Sequence, residues 1–487
     1  MGERSWLQPS TAGSPTMPNS EQPPYTFEPT ANSGQLREQF SDLAEGTETG
    51  RQVTIAGRLM LRRVQGKLAF GTLQDAAGRI QLFAPSKETP QFDAFCDLNL
   101  GDWLGVTGEV MTTRKGELSV KVQDWTVLAS TRRPFPDKWH GISDPDTRFR
   151  QRYVDLWVTP ESREVFVLRS RVISLTRRWL EDRGFMEVET PIFHPIPGGA
   201  AARPFTTHHN ALDQELFLRI APELYLKRLT VAGLERVFEI GRVFRNEGIS
   251  PRHNPEFTML ELYQAYADYS DMMELVENLV TFLALELHGT TSLEYGGRPI
   301  ELAAPWRRAT MEDLIAEHAG VAIDLDTPID ELRAMAERFG IPVKPSYGPG
   351  KLILEIYEKT TESALWGPVF VTDYPKEVSP LSRDHRHKPG YTERFEAIVA
   401  GRELCNAFSE LIDPVEQRAR MEDQAAQREA GDDEAMVVDE DYLRAMDYGL
   451  PPTGGLGVGI DRLVMLLADV ASIRDVVLFP TLRPEQV

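Results

Sequence analysis

The sequence predicts an α+β protein in which a small five-stranded β-barrel precedes a larger domain of helices and strands. Three observations support this prediction. The chain has 487 residues, which is too long for one ordinary core and suits two or three domains. Short segments of alternating apolar and polar residues fill residues 51–132. Helical and strand-like periodicities then alternate over residues 151–487, so the second domain is mixed.

Residues 1–50 are predicted to be a disordered leader followed by a short helix. Residues 1–34 are rich in Pro, Ser and Thr and lack the apolar core of a signal peptide or membrane anchor. Met17 is an alternative start to Met1. The two cysteines, Cys96 and Cys405, lie far apart and favour a reducing compartment, the cytoplasm by default. No window approaches the roughly 18 consecutive apolar residues of a membrane span, so no membrane partner is expected.

The barrel prediction for residues 51–132 depends on five short segments with glycines between them. The segments are VTIAGRLML, KLAFGTLQ, RIQLFA, WLGVTGEVM and ELSVKVQDWTVLA. Glycines at the corners suit a closed barrel such as the OB-fold, which binds single-stranded nucleic acid on one face. A small barrel or sandwich without a ligand is equally compatible with this composition.

Charge bears on whether this domain binds nucleic acid. The net charge of −21 disfavours non-specific binding to phosphates. The stretch 51–70 nevertheless carries only basic charged residues, namely Arg51, Arg58, Arg62, Arg63 and Lys67. A basic face is therefore possible on an acidic protein.

Residues 133–150 are rich in Pro, Asp and aromatic residues and are predicted to link the domains. An apolar stripe from Val165 to Trp179 then predicts a helix that ends near Gly184. Helices are also predicted at 310–319 and 328–339, the latter with Thr327 as N-cap, within a helical insertion over about 300–345.

Three segments carry a resemblance to a known family. They are GFMEVETPIF (184–193), FRNEGISPRHNPEFTMLE (244–261) and GLGVGIDRL (455–463). In this order they resemble the signatures of class II aminoacyl-tRNA synthetases. The resemblance implies an antiparallel sheet flanked by helices, ATP binding by the second and third segments, and a homodimer interface at the first.

The resemblance also implies roles at the ATP. Arg245 would bridge the α-phosphate and the amino-acid carboxylate, Glu247 would accept from the adenine amino group and Phe257 would stack on adenine. His253 would reach the γ-phosphate, and Arg462 would cover the other face of adenine; Arg245 and Arg462 are the catalytic candidates. Arginine suits these roles because adenylate formation brings two anions together.

Glu396 and Glu403 match the magnesium ligands of the family. If Ala400 and Gly401 form a two-residue hairpin turn, Ile398 pairs with Glu403, which places both carboxylates on one face. Glu403 also belongs to the implied ATP site. Asn406, Phe408 and Glu410 have the opposite parity, so the strand must carry a bulge near Leu404 or Cys405 for all of them to face one site.

Two further segments resemble the lysine subgroup of this family, the bacterial-type lysyl enzymes of subclass IIb. RIAPELYLKRL (219–229) and ELCNAFSEL (403–411) would place Glu223 and Glu410 in the amino-acid pocket. Two carboxylates suit an ammonium, because opposite charges at about 4 Å attract by on the order of 4 kcal/mol at an effective dielectric near 20. The other implied lysine-binding residues are Gly199, Tyr263, Asn406 and Phe408.

The barrel would then read the anticodon of tRNA(Lys). Phe70 matches the aromatic residue on which a base stacks, with Arg62, Gln81 and Glu117 as contacts to base edges. The rival interpretation is that Phe70 belongs to the barrel core. The resembling enzymes activate L-lysine with ATP to lysyl-adenylate and transfer it to the 3′ end of tRNA(Lys).

Several alternatives stay open. The same layout serves aspartyl- and asparaginyl-tRNA synthetases, and a lysine-adenylating paralogue would typically lack the barrel. A catalytically inactive RNA-binding paralogue is a third alternative. His208-His209 and His385-Arg386-His387 lack the acid or thiol that would complete a zinc site, so no zinc is expected.

Overall fold

The computed structural model describes residues 23–133, 135, 142–429 and 434–485. The predicted disorder of residues 1–22 and most of the predicted linker, 134 and 136–141, lie outside the described residues. The chain forms two compact units, Met1–Pro145 and Asp146–Val487.

The first unit is a closed barrel with strand order β1-β2-β3-β5-β4, which confirms the barrel prediction. Its elements are α1 (Ser33–Gln39), β1 (Glu48–Gln65), β2 (Leu68–Gln74), β3 (Arg79–Pro85), α2 (Phe92–Asp97), β4 (Trp103–Thr112) and β5 (Leu118–Ala129). Strand β1 starts at Glu48, before the predicted boundary. Alternate residues such as Leu59, Leu82 and Val120 fill the interior.

The second unit contains twelve α-helices among the described residues. They are α3 (Pro145–Arg150), α4 (Arg152–Val158), α5 (Pro160–Glu181), α6 (Glu223–Val231), α7 (Tyr269–His288), α8 (Met311–Ala319), α9 (Ile329–Arg338), α10 (Pro349–Thr360), α11 (Pro414–Glu429), α12 (Glu440–Asp447), α13 (Ile460–Leu467) and α14 (Ile473–Val476). Short 3₁₀ turns cover Glu362–Ala364 and Lys376–Val378.

Helix α3 shows that the predicted linker is partly helical. Helix α9 starts at Ile329, and Pro328 rather than Thr327 is its N-cap. The prediction of Thr327 as the cap was therefore wrong. The extended backbone of Pro328, with ψ 135°, starts the helix one residue later than proline at the first helical position would.

The strands of the second unit form one large sheet and two small ones. They are β6 (Met186–Glu187), β7 (Phe193–His194), β8 (Thr206–His209), β9 (Gln214–Leu218), β10 (Arg236–Phe244), β11 (Glu256–Ala265), β12 (Ser292–Tyr295), β13 (Arg298–Glu301), β14 (Arg307–Thr310), β15 (Val369–Pro375), β16 (Tyr391–Val399), β17 (Arg402–Ser409) and β18 (Thr453–Gly459).

The large sheet has the order β14-β15-β16-β17-β18-β11-β10-β6. Its inner strands are antiparallel, as the resemblance implies, but the edge pairs β14–β15 and β6–β10 are parallel, so the sheet is mixed. Helices α5, α7 and α13 bury apolar residues against one face, in a core that includes Leu279 and Leu463. The opposite face of the large sheet lines a cavity.

The β16–β17 hairpin confirms two predictions about register. Ala400 and Gly401 have φ of 53° and 68°, as in a tight two-residue turn, and Ile398 pairs with Glu403. The next pair is Ala397 with Cys405, so Leu404 is the extra residue of a β-bulge. The bulge reverses the parity of β17 beyond it.

No helix among the described residues is long and apolar enough to cross a membrane.

Candidate active site and nucleic-acid interface

One cavity of about 480 Å³ lies on the face of the large sheet opposite α5, α7 and α13. All but one of the residues predicted to bind ATP, lysine or magnesium line it. They are Gly199, Glu223, Arg245, Glu247, His253, Phe257, Tyr263, Glu396, Glu403, Asn406, Phe408 and Arg462. The exception is Glu410, which is fully buried behind the wall. The cavity thus unites residues far apart in the sequence.

Arginine side chains dominate one end of the cavity, which we call the cationic end. Arg245 follows β10, and its guanidinium carbon lies 5.2 Å from the ring centre of Phe257 on β11. Arg245 Nε is buried without a hydrogen-bond partner, and no described carboxylate forms an ion pair with this side chain. Burial lowers the pKa of Arg245. A half-buried arginine without an anion, beside an aromatic ring, suits an anionic ligand.

Arg462 lies in the first turn of α13, at the same end. Its Nη1 donates to the backbone oxygen of Glu403 at 2.7 Å and to Glu403 Oε2 at 2.9 Å. The neighbouring Asp461 is buried and accepts from the backbone N–H of Thr258 on β11 at 2.6 Å. Asp461 therefore fixes the start of α13 against the sheet and orients Arg462.

Glu247 and His253 lie at the exposed rim of the cationic end. His253 Nδ1 is 3.0 Å from Ser250 Oγ. Burial, followed by the positive charge of Arg462, lowers the pKa of His253. Both side chains remain available to a ligand from solvent.

Glu396 and Glu403 lie together on the hairpin face, as the register requires. Burial, with the nearby charge of Glu403, raises the pKa of Glu396 to about 7. Arg394 Nη2 donates to Glu396 at 2.7 Å, and its Nε donates to Asn406 Oδ1 at 2.9 Å. Arg394 thus joins the carboxylate pair to Asn406. Within the described ranges, no group of three or more His, Cys, Asp or Glu side chains is arranged as a metal site.

The opposite end of the cavity, the acidic end, is built from buried carboxylates. Glu223 is the first residue of α6, and Glu410 follows β17. The ammonium of Lys227 lies between them, 2.6 Å from Glu223 Oε1 and in contact with Glu410 Oε2. Burial raises the pKa of Glu223 and of Glu410, and Lys227 opposes both rises. Phe408 places its ring 5.4 Å from the same ammonium.

Glu261 is a further acid of the cavity to which the sequence analysis gave no role. It is buried on β11, and Tyr263 donates its hydroxyl hydrogen to Glu261 Oε2 at 3.3 Å. Burial, then the charge of Glu223, raises the pKa of Glu261 to about 8. Strand parity could have found this residue, because Phe257, Glu261 and Tyr263 are separated by even numbers and share one face.

Two glycines keep the acidic end open. Gly199 has φ +88°, and a Cβ on it would lie 3.1 Å from the Cβ of Glu223. A Cβ on Gly455 of β18 would lie 1.9 Å from Glu410 Oε1 and 2.6 Å from the ring of Tyr263. Side chains at either position would fill space beside the carboxylates.

The barrel carries its predicted aromatic residue on the outside. Phe70 is half-buried, lies outside the barrel core and makes an edge contact with Phe83 at 5.6 Å between ring centres. The interpretation of Phe70 as a core residue was therefore wrong. Gln81 lies on the same face, two residues before Phe83, and donates to Ser119 Oγ at 2.9 Å.

The structure places Arg63, rather than Arg62, beside Phe70. Arg63 pairs with Phe70 in register, and its guanidinium carbon is 5.1 Å from the ring centre. Arg62 pairs with Gly71 and donates to the backbone oxygen of Leu98. Glu117 is exposed near the turn between β4 and β5. The outer face thus brings together Phe70, Phe83, Arg63 and Gln81, whereas Arg62 points away from it.

Comparisons with known proteins agree with this geometry. Residues 144–483 match the family of class II tRNA synthetases (D, K and N), and residues 53–128 match the OB-fold nucleic acid binding domain. The lysine–tRNA ligase of Nostoc punctiforme is 53% identical, over 95% of this chain and 84% of the relative.

Two further relatives carry the same name. The lysine–tRNA ligase of Moorella thermoacetica is 52% identical over 94% of both chains. That of Xanthomonas oryzae is 54% identical over 93% of this chain and 91% of the relative. The chain therefore belongs to the class II tRNA synthetases, in the family of lysine–tRNA ligases.

Proposed function

We propose that the cavity joins L-lysine to ATP as lysyl-adenylate, with release of diphosphate, and transfers the lysyl group to the 3′ end of tRNA(Lys). One observation carries the proposal: a single cavity has buried carboxylates at one end and, at the other, the guanidinium of Arg245 without an anionic partner among the described residues. The ammonium of lysine fits the acidic end, and the phosphates of ATP fit the cationic end. The carboxylate of lysine then meets the α-phosphate between them.

Arg245 and Arg462 are the proposed catalytic residues. Attack of a carboxylate on the α-phosphate brings two anions together, and charge develops on the leaving diphosphate. Arg245 is free of anionic partners among the described residues, so it can bind the carboxylate and the α-phosphate at once. Arg462 can exchange its contact with Glu403 for a phosphate and cover adenine, with Phe257 on the opposite face of the ring. Glu247 and His253 are the proposed contacts to the adenine amino group and γ-phosphate.

Glu396 and Glu403 fit a magnesium site. Two carboxylates on one face, one of them with a pKa raised by burial and by the other's charge, are a donor set that a divalent cation would stabilise. Mg²⁺ bound there would neutralise phosphate charge. The protein's part is to hold the two carboxylates on the β16–β17 hairpin, with Arg394 orienting Glu396.

At the acidic end we propose that Glu223 and Glu410 bind the side-chain ammonium. Phe408 would line the aliphatic stem, and Tyr263 and Asn406 would hydrogen-bond the substrate. Gly199 would contact the α-amino group of lysine through its backbone. Glu261, which accepts a hydrogen bond from Tyr263, would share the binding of that α-ammonium group. An aspartate substrate is disfavoured, because Lys227, the cation beside Glu223 and Glu410, is already paired with both carboxylates.

The outer face of the barrel is the proposed anticodon-binding surface. Phe70 offers a stacking platform, and Gln81 and Glu117 offer hydrogen bonds. Arg62, the basic contact predicted from the sequence, donates to the backbone oxygen of Leu98 and points away from this face. The contact of Arg63 with the Phe70 ring supports adding Arg63 to this set. Uridine-rich anticodons are expected for a lysine enzyme.

A homodimer is proposed on the exposed apolar residues of α5 and the segment that follows it. Val167 is 55% exposed, Met186 53%, Ile192 42% and Phe193 56%. Apolar side chains exposed at these levels along one continuous segment suit burial against a second copy of the chain.

The proposal is tested by amino-acid-dependent exchange between diphosphate and ATP, run with lysine, aspartate and asparagine. Exchange with lysine alone is expected. Exchange that needs aspartate or asparagine would assign the other substrate, and no exchange with any of the three would leave the inactive RNA-binding paralogue.

A further inference from the structure

Lys227 is a charged residue at the acidic end of the cavity, and the proposed binding of lysine and ATP does not use it. It lies on α6, one turn after Glu223, and its side chain has no exposed surface. Its ammonium contacts the same two carboxylates that are proposed to bind the substrate ammonium. The protein therefore places a lysine of its own where it binds lysine.

The net charge of Glu223, Glu410 and Lys227 determines which ligand charge the pocket can bind. A buried charge is costly unless it is paired, and two adjacent carboxylates repel each other. One ammonium between Glu223 and Glu410 leaves a net charge of one negative unit when all three are ionised. Attraction by the two carboxylates outweighs burial and raises the pKa of Lys227, so its positive charge persists.

In the part of the chain that the structure describes, a carboxylate oxygen of Glu410 lacks a hydrogen-bond donor, and it marks where a ligand ammonium would bind. Glu410 Oε1 is buried without a hydrogen-bond partner among the described residues. It lies beside Gly455, which lines the cavity, and a Cβ at that position would lie 1.9 Å from this oxygen. A buried carboxylate oxygen without a donor calls for a ligand that can donate.

We propose that Lys227 is a positioning and specificity-determining residue that neutralises one of the two carboxylates and so leaves the pocket a single negative charge for one substrate ammonium. This inference rests on the proposed use of lysine. Lys227 holds Glu223 and Glu410 ionised and in place, and it does not touch the reacting atoms. A substrate amino acid with a neutral side chain of similar shape would leave the charge of Glu410 unpaired, so the pocket rejects it.

The other charged or titratable groups around this site do not replace Lys227. They are Glu261 and Tyr263 on β11, Arg394 on β16 and Tyr442 on α12, beside Glu223 on α6 itself and Glu410 after β17. Arg394, the cation among them, is committed to Glu396 and Asn406. Without Lys227, burial would raise the pKa of the two carboxylates further, and the pair would take up a proton.

The test is the variant Lys227→Met, which keeps most of the length of the side chain and removes its charge. The KM for lysine is measured by exchange between pH 6 and pH 8 and divided by that of the wild type, which cancels groups common to both. At pH 6 the proton that the pair takes up replaces the charge of Lys227, so the ratio is expected to lie near one. As the pH rises, the pair loses this proton and attracts the substrate ammonium more strongly, so the ratio is expected to fall below one, by up to about tenfold per unit. The KM for ATP should stay unchanged.

The double variant Lys227→Met/Glu223→Gln separates charge from packing. It carries one net negative charge without a proton, so its ratio should lie near one and be independent of pH. A ratio in the single variant that stays constant between pH 6 and pH 8, or that rises with pH, would overturn the inference. If the single variant does not fold, the double variant decides: use of lysine within about tenfold of wild type supports the inference, and no use contradicts it. Failure of the wild type to use lysine would instead overturn the proposed function.

Discussion

The cavity and the outer face of the barrel present polar side chains in opposite settings. In the cavity, the side chains of Glu410 and Lys227 have no exposed surface, and each of these charges depends on the other. On the barrel, Phe70 is half-buried, and Arg63 and Glu117 stand in solvent. The cavity offers a ligand buried charges, whereas the barrel face offers aromatic surface and exposed polar groups.

This difference in burial determines how much free energy one charged side chain contributes to ligand binding. Breaking a buried ion pair costs about 3 to 5 kcal/mol because the remaining charge is unpaired, whereas an exposed pair contributes about 0 to 1 kcal/mol. Substitutions in the cavity should therefore have large and ligand-specific effects. Substitutions on the barrel face should have smaller effects that are confined to tRNA.

The largest effect is expected for Arg245→Gln. The variant removes the guanidinium that is proposed to stabilise charge at the α-phosphate, and loss of one such donor lowers kcat by about 10² to 10³. Steady-state kinetics of lysine-dependent exchange measure this loss. Arg338→Gln, at an exposed position of α9, is the control and should leave kcat unchanged. Equal activity in both variants would remove Arg245 from the catalytic step.

Glu410→Gln should have the next largest effect. It keeps the shape of the side chain but leaves the pocket with one carboxylate, already paired with Lys227. The KM for lysine should rise about 10²-fold, the lower range for a broken buried pair, while the KM for ATP stays unchanged. Glu422→Gln, at an exposed position of α11, is the matched control. A parallel rise in the KM for ATP would show that Glu410 supports the fold of the whole cavity instead.

The same contrast explains what could be predicted from the sequence. The turn at Ala400 and Gly401 and the bulge at Leu404 follow from parity, because side chains that share a ligand must share a face. Lys227 could not be assigned in this way. A Glu and a Lys four residues apart on a helix usually form a surface pair, and only the packing of α6 against the acidic end buries them.

On the barrel, the register between β1 and β2 limited what could be predicted from the sequence. The strand pairing shifts between Leu59 and Leu61, and this irregularity exchanges the faces of the residues that follow. As a result Arg63, and not Arg62, lies beside Phe70. Both are arginines on one strand, so composition and alternation alone could not distinguish them. Glu261 differs, because its even spacing from Phe257 would have been sufficient to predict it, although the sequence analysis gave it no role.

The smallest effect is expected for Phe70→Ala on the barrel. Loss of one stacked base costs about 1 to 3 kcal/mol, so the KM for tRNA(Lys) in aminoacylation should rise about 5- to 150-fold. Lysine-dependent exchange, which needs no tRNA, should be unchanged because the cavity keeps all its residues. Phe70→Tyr is the control, since it retains the aromatic face. If Phe70→Ala impaired exchange and aminoacylation alike, the residue would act through the fold, and the contrast between cavity and barrel would fail.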